Sequence, residues 1–483
     1  MLKGEGFIKG SIWNFLGTAT EKILNYILNI AIIRLFGKEI YGIFSLTTGI
    51  FRILTRFGLS GIEAGSSYFI PQFISEKKEE NVNSFLKFVL FYFIFIGIIF
   101  SLLLITLSDF LEKIIFRKNY LSLFIFGFSL GFPFSLLTLA GAWTIRAFSI
   151  MKVYVLIVQF LRPFLNLIFL FILVYSLKNF LSVPLSYSIS FIITGIIIII
   201  FYQLKFKGIK KSIIRKNIVI SFFSFTIPIM VMELVRESSH WVDVIMLGLL
   251  KSSQEVGLYN AALRTSEFIL LIIWIFSPIF NPVCSRDIRE KNFESLKKNF
   301  HKTLIFSLIL SFPFIHTFLL KGSEILNFMF GKDFKEMAVV LNIVGCSNLL
   351  VSLQSPFVAI IIMSYEQKKW ANLNIIALII NIFLNFFLIK KYGVLGASIS
   401  TSFSIIFLTF SAFFIFKSKK YFQLDWNLIL EFILWQMIIL IALNYLSKIQ
   451  KNSLISIFLI FTLGFLLSLL FIFSPKFYKK YLK

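Results

Sequence analysis

From Phe85 to Leu107 the chain is almost unbrokenly apolar, with Lys87 its sole charge, and Ile189–Phe201 carries no charge at all. Runs of this kind have no polar face for water to wet. They suit the hydrocarbon of a bilayer, where every backbone N–H and C=O must find its partner inside the protein. A helix meets that demand within itself. A barrel strand meets it across strands but alternates apolar and polar residues, and these runs do not alternate. Composition agrees: 58% of the 483 residues are hydrophobic and only 15% charged, against roughly 25% charged in a soluble domain. The expectation is an all-α polytopic membrane protein.

A crossing takes roughly 20 residues, and that length rule divides the chain into fourteen spans. They run over approximately 10–36, 40–69, 84–108, 119–145, 152–177, 181–204, 217–249, 255–281, 302–320, 336–363, 370–389, 393–416, 427–447 and 452–474. Charges interrupt the seventh. The ninth is short, with Pro313 placed to kink it. The longest outer loops, Asp109–Asn119 and Lys321–Glu336, are too small to fold as a domain. An even number of spans puts both termini on one side, and the cations say which. Lys3, Lys9, Lys77, Lys78, Lys87, Arg146, Lys152, the stretch from Lys205 to Lys216, Arg286 to Lys302, Lys368, Lys369, Lys417 to Lys420 and the tail Lys476 to Lys483 place 28 of the 48 Lys and Arg on one set of loops. The opposite loops carry 14. Cytoplasmic loops are the Lys/Arg-rich ones, so both termini are expected in the cytoplasm. The same bias accounts for the net charge of +25 without nucleic acid as a partner. Met1–Gly10 is short and lacks a small-residue cleavage site, so the first helix is expected to stay as an anchor. Cys284 and Cys346 are isolated and without metal-type spacing; neither a disulfide nor a metal site is expected.

The text repeats. Ile40-Tyr41-Gly42-Ile43-Phe44 and Val256-Gly257-Leu258-Tyr259 each follow one span and open the next. Glu80–Lys87 matches Lys291–Lys298, and Ser188-Ile189-Ser190-Phe191 resembles Ser400-Thr401-Ser402-Phe403. The offsets of about 211 to 215 residues correspond to six spans, the parallel repeat of some transporters, whose substrate sites lie at the repeat interface near the midplane. The expected organisation is an N-terminal six-helix lobe over 1–205, a basic cytoplasmic linker over 206–216, a second six-helix lobe over 217–416, and two further spans with a basic tail over 417–483.

Charges inside spans are the costly and therefore informative residues. In span one, Asn14, Thr18, Glu21 and Asn25 recur at helical spacing and share a face, with Lys22 beside it. In span two, Arg52, Arg56 and Glu63 fall at i, i+4 and i+11. Two arginines one turn apart with no acid between them suit a phosphate or diphosphate, because guanidinium offers a planar fork of donors. Arg162, beside Pro163 in span five, and Arg146, at the inner end of span four, are further candidates. The second half is mixed to acidic: Glu233, Arg236, Glu237, His240 and Asp243 form one stripe on span seven, and Arg264 and Glu267 sit on span eight. Acids and a histidine in a bundle are typical of ion or proton coupling, which makes Glu21, Glu233, Glu237, His240 and Asp243 the coupling candidates. Asn374, Asn381 and Asn385 line one face of span eleven and suit sugar hydroxyls. Each feature also has a plainer reading. Membrane asparagines glue helices together, Glu21–Lys22 and Arg236–Glu237 can neutralise one another, and His240 can be a structural hydrogen bonder.

The sequence has no G-x-x-x-x-G-K-[ST], H-E-x-x-H or G-x-S-x-G, so ATP hydrolysis and the corresponding hydrolase chemistries are not expected. No cofactor is implied. Energy would come from an ion gradient, the membrane potential or the substrate gradient.

Three segments resemble one family. Ile33-Arg34-Leu35-Phe36-Gly37-Lys38-Glu39-Ile40-Tyr41-Gly42 is similar to the junction between the first two spans of polysaccharide flippases in the multidrug/oligosaccharidyl-lipid/polysaccharide exporter superfamily, with Phe36 where Leu is common. Val256-Gly257-Leu258-Tyr259-Asn260-Ala261-Ala262, with Asp243 upstream, resembles the segment after their seventh span. Tyr392-Gly393-Val394-Leu395-Gly396-Ala397-Ser398-Ile399 resembles the opening of their twelfth. The likeness covers nearly the whole chain. It implies the Wzx-type fold, two pseudo-symmetric six-helix lobes around a central cavity plus two C-terminal helices. It also implies a non-enzymatic flippase moving a polyprenyl-diphosphate-linked oligosaccharide by alternating access for cell-surface polysaccharide such as O-antigen. The partners this implies are that lipid-linked oligosaccharide, membrane lipids, a polysaccharide polymerase and glycosyltransferases. On this reading Arg52, Arg56 and Arg162 hold the diphosphate with help from Arg264. A drug or peptidoglycan-precursor exporter of the same superfamily is the alternative. A membrane polymerase or ligase fits less well, since it needs a large catalytic outer loop.

Overall fold

The computed structural model describes residues 7–206, 212–417, 424–450 and 453–482. Lys3, Lys207, Lys210, Lys211, Lys419, Lys420 and Lys483, counted above among the loop cations, lie outside the described residues. The described chain is helical, without strands. The first helical element, Phe7–Leu59, is two limbs, α1 (7–36) and α2 (38–59), parted at Gly37 with φ 81° and ψ 177°, a conformation open to glycine alone. Then follow α3 (Glu79–Phe116), α4 (Leu121–Ala147), α5 (Met151–Leu177), α6 (Ser182–Lys205), α7 (Lys216–Leu250), α8 (Ser253–Arg289), α9 (Phe293–Phe330), α10 (Lys332–Met363), α11 (Gln367–Tyr392), α12 (Val394–Lys417), α13 (Trp426–Ile449) and α14 (Ser453–Phe473). These twelve are each long and apolar enough to cross a membrane. With the two limbs they make the fourteen spans that hydropathy predicts.

Three details differ from the expectation. α2 does not run straight through residue 69: Ser60 (φ 49°) and Gly61 (φ 73°) are left-handed, and the helix resumes as Ile62–Ser75. A Cβ on Gly61 would lie 2.9 Å from the carbonyl oxygen of Thr226 on α7, so position 61 needs glycine for its space as well as its backbone. α9 is not short. Its non-helical residue is Lys321 (φ −137°) rather than Pro313, which is buried inside the helix. The two longest outer loops are largely helix, because α9 continues to Phe330 and α3 ends in a wide π-turn over Leu111–Phe116.

The chain forms two compact units, Met1–Gly257 and Leu258–Lys483. In the first, α4 is the buried centre. Its small residues let neighbours approach closely, as membrane helix interfaces require. A Cβ on Gly131 would meet Ser188 Cα of α6 at 2.5 Å, and the Gly131 N–H donates to Ser188 Oγ at 3.0 Å. Thr138 and Thr194 hydroxyls pair at 3.2 Å, and the Tyr202 hydroxyl donates to the Gly141 carbonyl at 3.1 Å. α7 packs in this unit against both parts of α2 and against α3.

The two repeat motifs meet here. A Cβ on Gly42 would lie 1.8 Å from the carbonyl oxygen of Ser253, and one on Gly257 would lie 2.1 Å from that of Lys38. Residues 38 and 253, and residues 42 and 257, are both 215 apart. Each glycine therefore abuts the repeat counterpart of the other's neighbour, the reciprocal pattern of a two-fold contact.

The second unit is built on stacked phenylalanines. Phe300 of α9 lies 5.0 Å from Phe357 of α10 and 5.2 Å from Phe416 of α12 between ring centroids, with Phe432, Phe471 and Phe477 in the same core. Its C-terminal turns are fastened down. Asp425, just before α13, accepts from Lys480 Nζ at 2.6 Å and the Tyr481 hydroxyl at 3.0 Å, while its backbone N–H donates to His301 Nε2 of α9 at 3.0 Å. Burial pushes the Asp425 carboxyl up, but the hydrogen bonds from Lys480, Tyr481 and the Leu428 N–H outweigh it and hold the group below its usual range.

Candidate functional site

The intramembrane charges predicted for the first half converge within the first unit and recruit the stripe on α7. One contact joins α1 to α5. Glu21 Oε1 accepts from Arg162 Nη2 at 2.7 Å, with the arginine side chain 7% exposed. One turn earlier, Gln159 Nε2 donates to Thr18 Oγ1 at 3.0 Å. The local backbone explains the placement. Pro163 has no N–H to return to the Gln159 carbonyl, and α5 passes through a π segment over Val155–Leu161, with the Arg162 N–H bonded back to the Ile157 carbonyl. Such wide turns re-aim side chains, often at functional sites. Gly17 makes room: a Cβ there would lie 2.1 Å from Gln159 Oε1. The shared face of span one is real at Thr18 and Glu21. Asn25 donates to its own helix, to the Glu21 carbonyl at 2.8 Å.

The second contact joins α2 to α7. Arg56 Nε donates to Glu237 Oε2 at 3.0 Å, and Arg56 Nη1 lies 3.6 Å from Glu233 Oε2. Glu237 is held on its other oxygen by the Trp241 indole N–H at 3.1 Å. Arg236 pairs with Glu233, not with Glu237 as its neighbour in sequence. The expectation of a double-cation face without acids is thus corrected for Arg56. Its acids come from α7, 181 residues away, so spacing along α2 could not reveal them. Arg52 lies within electrostatic range of Glu237, Arg162 and Tyr187. His240 is exposed, with its ring edge-on to Trp241 at 5.7 Å, and Asp243 is buried.

Arg146 takes a different kind of partner. Its guanidinium sits 4.6 Å from the Trp143 ring centroid and 5.5 Å from that of Tyr154, a cation–π arrangement. Glu63 feels the charges of Arg146, Glu233, Arg56 and Arg236. It follows the break at Ser60–Gly61, so packing and not the i+11 spacing brings it there. In sum, five guanidinium groups (Arg52, Arg56, Arg146, Arg162, Arg236) and four carboxylates (Glu21, Glu63, Glu233, Glu237) form one electrostatic cluster within the first unit. Sequence reasoning missed Gln159, Gly17 and the Trp143–Tyr154 pair. Pro163 and the glycine in span one were the available hints.

The candidates of the second unit lie in separate places. Arg264 Nη1 donates to Glu267 Oε1 at 2.6 Å where α8 tightens into a 3₁₀ turn over Glu267–Leu270. Alongside, Asn348 Nδ2 donates to Ser266 Oγ at 2.9 Å. On α11, Asn374 donates to the Trp370 carbonyl at 2.7 Å and Asn385 donates to Asn381 Oδ1 at 2.9 Å, with Asn381 and Asn385 buried.

Comparison with known proteins places these features in context. The family model described as "Polysaccharide biosynthesis protein" matches residues 7–283, and that of MatE matches residues 228–387. Over 224 residues the chain is 21% identical to the "Probable low-salt glycan biosynthesis flippase Agl15" of Haloferax volcanii, covering 45% of this chain and 47% of that protein. The aligned region thus spans about half the length of that relative. Over 426 residues it is 22% identical to the "Capsular polysaccharide biosynthesis protein CapF" of Staphylococcus aureus, covering 85% and 99%. In fold it is similar to the solved "Lipid II flippase MurJ, inward closed conformation", with TM-score 0.77 at 19% identity over 99% of this chain and 100% of that one.

Proposed function

The chain belongs to the polysaccharide biosynthesis protein family, and from that premise we propose that it is a flippase. Its cargo is a polyprenyl-diphosphate-linked oligosaccharide, moved from the inner to the outer leaflet of the cytoplasmic membrane by alternating access. No covalent bond is made or broken. The flipped carrier feeds cell-surface polysaccharide synthesis, so glycosyltransferases act before it and a polymerase after it. Both termini lie in the cytoplasm, as the loop cations require.

The observation that carries this reading is the placement of arginines inside the spans of the first unit. Guanidinium groups within a membrane bundle are costly and mark substrate paths, and their fork geometry matches phosphate oxygens. Exposure supports a division of roles. Arg162, 7% exposed, bolts α5 to α1, whereas the Arg56 side chain is 25% exposed and can be reached. On this reading Arg52 and Arg56, both partly exposed, hold the diphosphate, and Glu21, Glu233, Glu237, His240 and Asp243 supply the titratable groups that bias the two states. The relatives' names, a glycan biosynthesis flippase and a capsular polysaccharide biosynthesis protein, support a glycan as cargo. Arg52→Ala combined with Arg56→Ala abolishes export of the lipid-linked sugar while folded protein persists in the membrane. Unchanged export by the double variant refutes the assignment.

A second reading stays inside the superfamily. The full-length fold likeness to a lipid II flippase favours a peptidoglycan precursor, also a polyprenyl diphosphate. Vesicles reconstituted with the purified chain and offered each cargo separate the two.

A further inference from the structure

Arg56 already holds anions of its own. Glu237 occupies its Nε edge at 3.0 Å, one of the positions a phosphate takes in a two-point contact, and Glu233 stands 3.6 Å from Nη1. From this geometry, and resting on the flippase reading above, we infer that the Glu237 carboxylate is a built-in stand-in for the head-group phosphate, displaced when the diphosphate binds, and that the displaced carboxylate takes up a proton together with the cargo.

Three observations carry the exchange. The Arg56–Glu237 pair is sheltered yet reachable, with side chains 25% and 13% exposed, unlike the Arg162 side chain at 7%. The displaced carboxylate loses the two guanidinium groups that stabilise it most. These are Arg52 and Arg56, the two that the diphosphate takes, and Arg236 is engaged by Glu233. Of the remaining neighbours on α7, Glu233, paired with Arg236, disfavours a further negative charge, while the exposed His240 favours one; beyond the break in α2 stands Glu63, facing Arg146 of α4. A carboxylate stripped of its partner in such surroundings is stabilised by protonation. The Trp241 N–H, 3.1 Å from Oε1, keeps the group anchored through the exchange. The proton comes from water and ends on Glu237 Oε2, so each cargo molecule is loaded with one negative charge fewer.

The test is calorimetric titration of the full-length chain in detergent with farnesyl diphosphate, in two buffers of different ionisation enthalpy, with farnesol as the uncharged control. The expected result is uptake of one proton per diphosphate, and affinity that rises by up to about tenfold for each pH unit lowered. In Glu237→Gln combined with Glu233→Gln the proton uptake disappears, and affinity at pH 8 rises by about tenfold or more through lost competition. Diphosphate binding by the natural protein without proton uptake overturns the exchange but leaves the flippase reading standing. Uptake that survives in the double variant overturns the assignment to Glu237. Failure of the natural protein to distinguish farnesyl diphosphate from farnesol removes the diphosphate reading itself, and the exchange with it. If the double variant does not fold, the proton count on the natural protein decides alone.

Discussion

On the proposed reading one residue type does two jobs in one unit, and burial separates them. Arg162 donates to Glu21 at 2.7 Å and to the Val158 carbonyl at 3.3 Å, and its guanidinium lies 5.3 Å from the Phe191 ring centroid. It ties together α1, α5 and α6. Arg162→Ala leaves Glu21 without its cation and is expected to cost about 3 kcal/mol, the lower end for a broken buried pair because Glu21 is partly exposed. Arg56→Ala removes a partly sheltered ion pair and costs less, about 1–2 kcal/mol, between an exposed and a buried pair. Thermal unfolding of the two variants in the same detergent checks this, and equal losses contradict the division of roles. The arginines were legible in the sequence because an intramembrane cation stands out from its text. Their carboxylates were not, because Glu21 and Arg162 are 141 residues apart and Arg56 and Glu237 are 181 apart. Nothing in local spacing records which distant helix will lie alongside.

At the scale of elements, hydropathy finds helices and misses their interruptions. All fourteen spans were readable because bilayer thickness fixes the length of a crossing. The turn at Ser60–Gly61 was not, since two small residues in an apolar run look like any interface position. Nor was the π segment of α5, whose one mark in the sequence is Pro163. The crossing of α2 and α8 makes the strongest demand. A methyl group on Gly42 would sit 1.8 Å from the Ser253 carbonyl oxygen, a backbone atom that cannot swing aside. Gly42→Ala is expected to destabilise the protein by about 3 kcal/mol, the upper end for overpacking, and Gly257→Ala by a similar amount. Alanine at Gly322, whose nearest neighbour would be 3.4 Å away, is the tolerated control. Melting temperatures that do not distinguish positions 42 and 322 contradict the close crossing.

For the whole molecule, the sequence carried the fold class and the family because both are written in features repeated along the chain. Apolar length recurs fourteen times, and the motifs around Gly42 and Gly257 recur at an offset of 215. The distribution of cations likewise predicts topology. A fluorescent protein fused after Lys483 fluoresces, and alkaline phosphatase inserted after Arg117 is active, if the Lys/Arg-rich loops face the cytoplasm. The reverse pattern inverts the whole assignment, since an even number of spans ties both ends to one side.

The fastening of Asp425 to Lys480 and Tyr481 reaches further than the chain's last turn. α13 and α14 form a hairpin, and a hairpin of membrane helices is ordinarily free to splay at its open end. Here residues 425 and 480–481 stitch that end shut, and His301 rivets the stitch to α9. The pair is thereby a closed hoop. A pull on the tail is passed to α9 through these hydrogen bonds rather than opening the hairpin.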